Sequence, residues 1–217
     1  MKKNDKLDII YEDKFLLVVN KPAHMLTVQT EKGVSTTLYN KVYEYLHKKN
    51  QKVFIVNRID KDTSGLVVFA KDPTTKRLMQ ANWEKTIRKY YGVVIGKIKE
   101  KGKIEAYLAE GKDLKTYITS DKNKGKYSLT YYTTLKCASA YTLLDIEIKT
   151  GRKNQIRVGL ASINHPLIRD KKYESKKNPL GRLGLHSYYL SFIHPKTKKL
   201  IEIQTKIPKE FERIFEK

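Results

Sequence analysis

The sequence predicts an α+β fold on three observations. Strand-like runs of β-branched and aromatic residues outnumber helical ones, several of those runs pair off across short turns, and only a few stretches carry apolar residues at helical spacing. Leu7-Asp8-Ile9-Ile10-Tyr11 and Phe15-Leu16-Leu17-Val18-Val19 flank the turn-like Glu12-Asp13-Lys14, and Asn20-Lys21-Pro22 ends the second run, so a hairpin opens the chain. From Ser35 the period changes. Leu38, Val42, Tyr45 and Leu46 fall at helical spacing after a Ser/Thr start, and Lys48-Lys49-Asn50 closes the segment. Its tyrosines are read as core or rim packing.

An extended run from Val53 to Asp60 meets the polar turn Lys61-Asp62-Thr63-Ser64-Gly65 and returns through Leu66-Val67-Val68-Phe69-Ala70. Asp72-Pro73 is a helix start, with aspartate as cap and proline at the first helical position, and the helix reaches to about Lys85. Thr86 to Gly96 is a strand by composition. Lys101 to Lys126 is the most polar stretch and is read as one strand with exposed loops. Tyr127–Leu135 and Tyr141–Ile148 follow as an antiparallel pair, with Leu144, Ile146 and Ile148 on one face. Ile156, Leu160 and Ile163 then predict a helix, Leu183–Pro195 and Leu200–Ile203 a closing hairpin, and Pro208 to Lys217 a short helix burying Phe211, Ile214 and Phe215.

The chain has 217 residues, enough for one domain with a substantial core, and a single domain over 1–217 is expected. Lys plus Arg number 45 against 23 Asp plus Glu, a formal charge of +22, and this surplus points to a polyanionic partner. No long apolar span and no basic amphipathic helix favours a membrane, so a nucleic acid is the expected partner. The single cysteine, Cys137, excludes an intramolecular disulfide and a cysteine-based zinc site, which fits a reducing cytoplasm. Met1 to Asp8 is charged and no secretory apolar core follows it. His165, His186 and His194 have spacings that match no common metal-ligand pattern and are read as structural.

The densest functional signal is Asn57-Arg58-Ile59-Asp60-Lys61-Asp62-Thr63-Ser64-Gly65-Leu66. If this run is extended, Arg58 and Asp60 point the same way, placing a carboxylate and a guanidinium in one mouth. Taken alone, Asp62 to Gly65 need be no more than a turn between strands. As a block, the stretch resembles the "H-R-L-D-x-x-T-S-G-L" signature of the RluA-like family of pseudouridine synthases, with Asn57 in place of histidine and Ile59 in place of leucine. Tyr11 to Ala23 resembles that family's opening lysine-proline motif, with His24 where a glycine is usual. Lys89-Tyr90-Tyr91 resembles its "K-x-Y" element. Thr150 to Leu160 resembles "T-G-R-x-H-Q-I-R-x-H-L", with Asn154 and Gly159 replacing histidines. Asn164-His165-Pro166 and Arg169-Asp170 stand for its "G-H-P" and "G-D", and Leu183 to Pro195 for its closing motif.

The resemblance implies a mixed, mostly antiparallel sheet flanked by helices, without a small N-terminal RNA-binding module. It implies isomerisation of uridine in structured RNA, in large-subunit ribosomal RNA first and transfer RNA second, by a monomer using no cofactor. Asp60 is then the catalytic aspartate. Tyr91 stacks on the target uracil, and Arg157 forms an ion pair with Asp60 that keeps the carboxylate ionised against the effect of burial. Ile156 lines the uracil pocket. Arg58 occupies the space left by the flipped nucleotide, and Lys21, Lys89 and Arg152 contact RNA. The carboxylate acts either as a nucleophile toward the sugar or as the base that forms a glycal-like intermediate. Two rivals are weighed: a noncatalytic RNA-binding protein on the same fold, and a hydrolase pairing Asp60 with Asp62 or Asp170.

Overall fold

The structure is a computed structural model that describes residues 6–29, 36–98, 100–111, 115–173 and 179–216. Along the chain run β1 (Ile9–Glu12), β2 (Leu16–Lys21), α1 (Leu38–His47), β3 (Phe54–Ile55), β4 (Ser64–Ala70) and α2 (Pro73–Ala81). Next come β5 (Ile87–Ile95), β6 (Lys101–Glu110), β7 (Thr116–Thr119), β8 (Lys126–Cys137), β9 (Tyr141–Ile148) and α3 (Gln155–Ser162). Strands β10 (Leu185–Ile193) and β11 (Leu200–Gln204) and helix α4 (Lys209–Glu212) complete the order. These elements gather into two compact units, Met1–Thr86 with Tyr189–Thr205, and Ile87–Tyr188 with Lys206–Lys217. The registered strand pairs of both are antiparallel and helices flank the strands, so the α+β class holds.

In the first unit the strand order is β1-β2-β4, with β3 also on β4 and β11 on β10. Strands β2 and β4 read as unbroken apolar runs because both of their faces are covered. Leu16, Val18, Leu66, Val68 and Ala70 pack on one side with Met79 of α2, while Leu17, Val19, Val67 and Phe69 pack on the other with Leu38, Val42 and Leu46 of α1. Both helices start at side-chain caps, each contributing about 1 kcal/mol. The Thr37 hydroxyl accepts the Asn40 N–H at 3.2 Å, and Asp72 accepts that of Thr75 at 2.8 Å. Ser35, expected at the start of α1, lies outside the described residues. Helix α2 stops at Ala81, and Trp83–Lys85 forms a separate 3₁₀ turn, so the helix is shorter than expected.

The second unit is the order β5-β9-β8-β6-β7, with α3 on one face. Ile156 and Leu160 of α3 pack on Val94, Ile104, Tyr132, Leu144 and Ile146, and Val158 packs on Leu108 and Tyr173. The opposite face near β5 is closed by Phe211 with Ile214 and Phe215. The polar stretch from Lys101 holds more strand than expected, since β6 is ten residues long and pairs with β8 from Lys101 to Leu108. Ile104 and Leu108 are its buried face, and the lysines and glutamates that made it look loop-like are the outward side of the alternation.

Candidate active site

Asp60 does not sit on a strand. Strand β3 ends at Ile55, so the extended run expected as far as Asp60 is replaced by irregular chain and a turn in which the Thr63 N–H donates to the Asp60 carbonyl at 3.2 Å. The turn is held from outside. Thr27 Oγ1 donates to the Ile59 carbonyl at 2.8 Å and accepts the Ile59 N–H at 3.4 Å. Lys21 is fully buried, and its ammonium donates to the carbonyls of Pro22, Met25 and Lys61 at 3.0, 2.7 and 3.0 Å. His24 Nδ1 lies 2.9 Å from Asp62 Oδ1. The lysine-proline loop therefore grips the residues on both sides of Asp60. Gly65 has φ 115, a value that favours glycine, directly opposite Lys21 in the β2–β4 pairing. Asp60 is half-buried and Arg58 is exposed.

In the second unit, β5 separates its residues by face. Tyr90 and Val94 look toward the cluster that holds Ile156 and Leu160, whereas Tyr91, Val93 and Ile95 look toward Phe211. Tyr91 stacks on Tyr188 with ring centroids 3.8 Å apart. Burial, then the carboxylates of Asp145 and Glu212, hold its phenol above the ordinary range. Tyr90 is therefore the tyrosine of β5 that shares a face with Ile156, and Tyr91 lies on the opposite face. Lys89 shares the Tyr91 face and lies 3.7 Å from Asp145.

Arg157, in the first turn of α3, is clasped by a buried carboxylate. Its Nε and Nη2 donate to Asp170 Oδ2 and Oδ1 at 2.8 and 2.7 Å, and its Nη1 donates to Asn154 Oδ1 at 3.0 Å. The Tyr173 ring lies 5.5 Å from the guanidinium carbon. Asp170 is 1% exposed and so is bound into this pair, which argues against the solvent-facing carboxylate that a hydrolase reading requires. Gln155 fixes the turn before the helix, accepting from Thr150 Oγ1 at 2.7 Å and from Arg152 N at 3.0 Å and donating to the Leu129 carbonyl at 3.1 Å. Arg152 donates to the Tyr127 carbonyl at 2.9 Å.

A family profile described as RNA pseudouridylate synthase matches residues 15–162, most of the chain. The chain belongs to the RNA pseudouridylate synthase family. It is 32% identical to tRNA pseudouridine synthase C of Haemophilus ducreyi, over 97% of this chain and 95% of that protein. It is 32% identical to ribosomal large subunit pseudouridine synthase D of Neisseria meningitidis serogroup B, over 94% of this chain and 59% of that longer protein. Human RNA Pseudouridylate Synthase Domain Containing 1 shares the fold, with a TM-score of 0.79 at 20% identity, over 96% of this chain and 87% of that one. The chain is thus an isomerase of RNA uridine.

Three departures from the pseudouridine synthase pattern have one backbone explanation. His24, Asn164 and Arg169 stand where the resemblance expects glycine, and all three have left-handed backbone, with φ 65, 63 and 56. The chain keeps the turns and accepts the strain, which costs about 1–2 kcal/mol for a residue with a Cβ and less for asparagine. Asn154, replacing a histidine, also has positive φ, 52, and uses its amide oxygen on Arg157. A side chain at Gly159, the other histidine position, would begin 3.3 Å from Ile104, so α3 lies close on β6. Asn57 accepts the Val68 N–H at 2.8 Å, extending the β4 ladder by a side chain.

Tyr90, on the face of Ile156, and Asp170, paired with Arg157, are not among the residues named for the site from the sequence. The period of two along β5 places Tyr90, Gly92 and Val94 on one face, but only the packing of α3 makes that the face of Ile156. Nothing in the spacing of Asp170 pointed to Arg157. Of the three histidines read as structural, His165 Nδ1 meets the Ile95 carbonyl at 3.0 Å, and His186 is buried. His194 Nδ1 accepts the N–H groups of Lys196 and Thr197, and its Nε2 lies 2.9 Å from Asp13.

Proposed function

We propose that this enzyme converts a specific uridine to pseudouridine in large-subunit ribosomal RNA, with Asp60 as its catalytic carboxylate. The observation that carries the assignment is the clamp around the Asp60 turn. Lys21, Thr27 and His24 fix Lys61, Ile59 and Asp62, and a catalytic carboxylate needs such a held backbone to meet a ribose in one geometry. Lys21 is thereby a positioning residue, in place of the RNA contact first expected. Tyr90 takes the uracil-stacking role in place of Tyr91, and Ile156 forms the apolar floor beside it. Arg157 is the permanently charged group that favours the ionised carboxylate. Arg58 is the exposed side chain that enters the space left by the flipped nucleotide, a flip that costs about a few kcal/mol. Lys89 and Arg152 contribute to phosphate attraction, and the enzyme acts as a cytoplasmic monomer.

The reaction balances internally. The bond from uracil N1 to ribose C1′ breaks, the base turns, C5 bonds to C1′, and the proton on C5 leaves while N1 gains one. A transfer RNA target is the second reading, favoured by the Haemophilus ducreyi relative that this chain matches over 95% of its length. The test is pseudouridine mapping of total RNA from cells lacking the gene and from cells restored with wild type, Asp60→Asn, Tyr90→Leu or Tyr91→Phe. One site is expected to vanish on deletion and to return with wild type and Tyr91→Phe only. Full restoration by Asp60→Asn would overturn the assignment, and the RNA in which the site lies decides between the two targets.

A further inference from the structure

The edge of the second unit carries a surface that the isomerisation does not use. Strands β7, β6 and β8 bury Ile104, Leu108 and Tyr132 on the side of α3. Their other side presents tyrosines. Tyr117 is paired with Ala109, Tyr127 with Tyr107, and Tyr131 with Lys103, so these aromatic rings share one face. Tyr117, Tyr127 and Tyr131 are 45%, 36% and 41% exposed, a concentration of large rings in water that a solvated sheet face does not require. The rings touch one another and their cations. Tyr107 and Tyr127 meet edge to face with centroids 5.8 Å apart, and Lys122 lies 5.7 Å over the Tyr107 ring.

What surrounds the rings selects the occupant. The neighbours across the strands are Lys101, Lys103, Glu105 and Thr133 with two aliphatic side chains, Leu129 and Ala109, and Glu105 accepts from Lys103 at 3.1 Å and from the Tyr127 hydroxyl at 2.9 Å. Between residues 97 and 136 the chain has ten lysines against five acidic residues. Protein interfaces are depleted in lysine at their centres, whereas surfaces that hold unpaired nucleic acid combine exposed rings for base stacking with lysines for phosphates. We propose that this face is a second RNA-binding surface, on which bases of an unpaired RNA segment stack on Tyr117, Tyr127 and Tyr131 while Lys101, Lys103 and Lys122 meet its phosphates. It lies on the side of the sheet away from α3 and Arg157. RNA held there adds affinity for a large substrate without entering the uridine site.

The probe is a fluorescein-labelled dodecauridylate, with binding to the full chain followed by anisotropy at several salt concentrations. Replacing Tyr117, Tyr127 and Tyr131 together by Thr, which keeps strand propensity, is expected to weaken binding at least roughly tenfold, given the stacking contribution per base. The matching triple Phe variant should bind as wild type does, because it keeps the stacking rings. Should the Thr variant lose its fold by circular dichroism, Lys101→Gln/Lys103→Gln decides, because lost phosphate contacts lower both the affinity and the salt slope. Unchanged affinity in the folded variants overturns the proposal. So does a monomer–dimer equilibrium in sedimentation velocity that the Thr variant abolishes while RNA affinity stays intact, since the face is then an interface between copies.

Discussion

Arg157 commits three of its five N–H donors to Asp170 and Asn154. With Asp170 sealed from solvent, the pair is a rigid mount that aims the guanidinium. Removing one partner leaves a charge buried among groups arranged for its opposite, which costs about 3–5 kcal/mol. Asp170→Ala is therefore expected to lower stability by that amount in urea denaturation and to reduce turnover. The double variant Arg157→Met/Asp170→Leu separates the two effects. Apolar replacement of both partners restores most of the stability, because no unpaired charge remains, while turnover stays lost. The sequence made Arg157 visible through a motif, but Asp170, thirteen positions away, was matched to the "G-D" motif and weighed as a hydrolase carboxylate, never as the partner of Arg157. Charge pairing at that separation is set by where the chain returns, not by spacing.

At the level of elements, the loop after β2 and the turn after β3 form one clamped assembly, and Lys21 is its centre. A lysine at the end of a strand is ordinarily solvated, and here it is inside because three carbonyls converge on its ammonium. Lys21→Met fills the same volume and leaves those carbonyls without their charged donor. It is expected to destabilise the fold by about 3 kcal/mol, read from the denaturant midpoint, and to lower turnover by loosening the Asp60 turn. Strand and helix identities were largely legible: the opening hairpin, the capped start of α2, the β8–β9 pair and the closing hairpin all follow from pattern and turn residues. Lengths were less legible. Strand β3 is cut to Phe54–Ile55, where the side chain of Asn57 takes over from the ladder, and β6 is long because its polar face is the solvent face of a paired strand.

Across the molecule, the titration of a buried histidine sets part of the acid sensitivity. Burial, then the charge of Arg182, push His186 down from its ordinary 6.5 to about 3. The folded state keeps it neutral while the unfolded chain takes up a proton below 6.5, so its contribution to stability is full above 6.5 and is lost as pH falls toward 3. Glu12 adds a further loss only below its ordinary 4.5. Its burial raises the carboxyl pKa, but Lys71, Tyr45 and Lys49 outweigh this and hold it at about 2. Denaturation of wild type is expected to show stability declining between pH 6.5 and 4.5, and His186→Gln should show a shallower decline across that window. By itself the sequence determined the α+β class, the basic character and the motif blocks, because hydrophobic period, turn chemistry and charge are local or additive properties. Tertiary structure alone decided which tyrosine of β5 faces Ile156, that Lys21 is buried, and that Asp170 holds Arg157. Face, burial and long-range pairing depend on what the rest of the chain packs against each side chain.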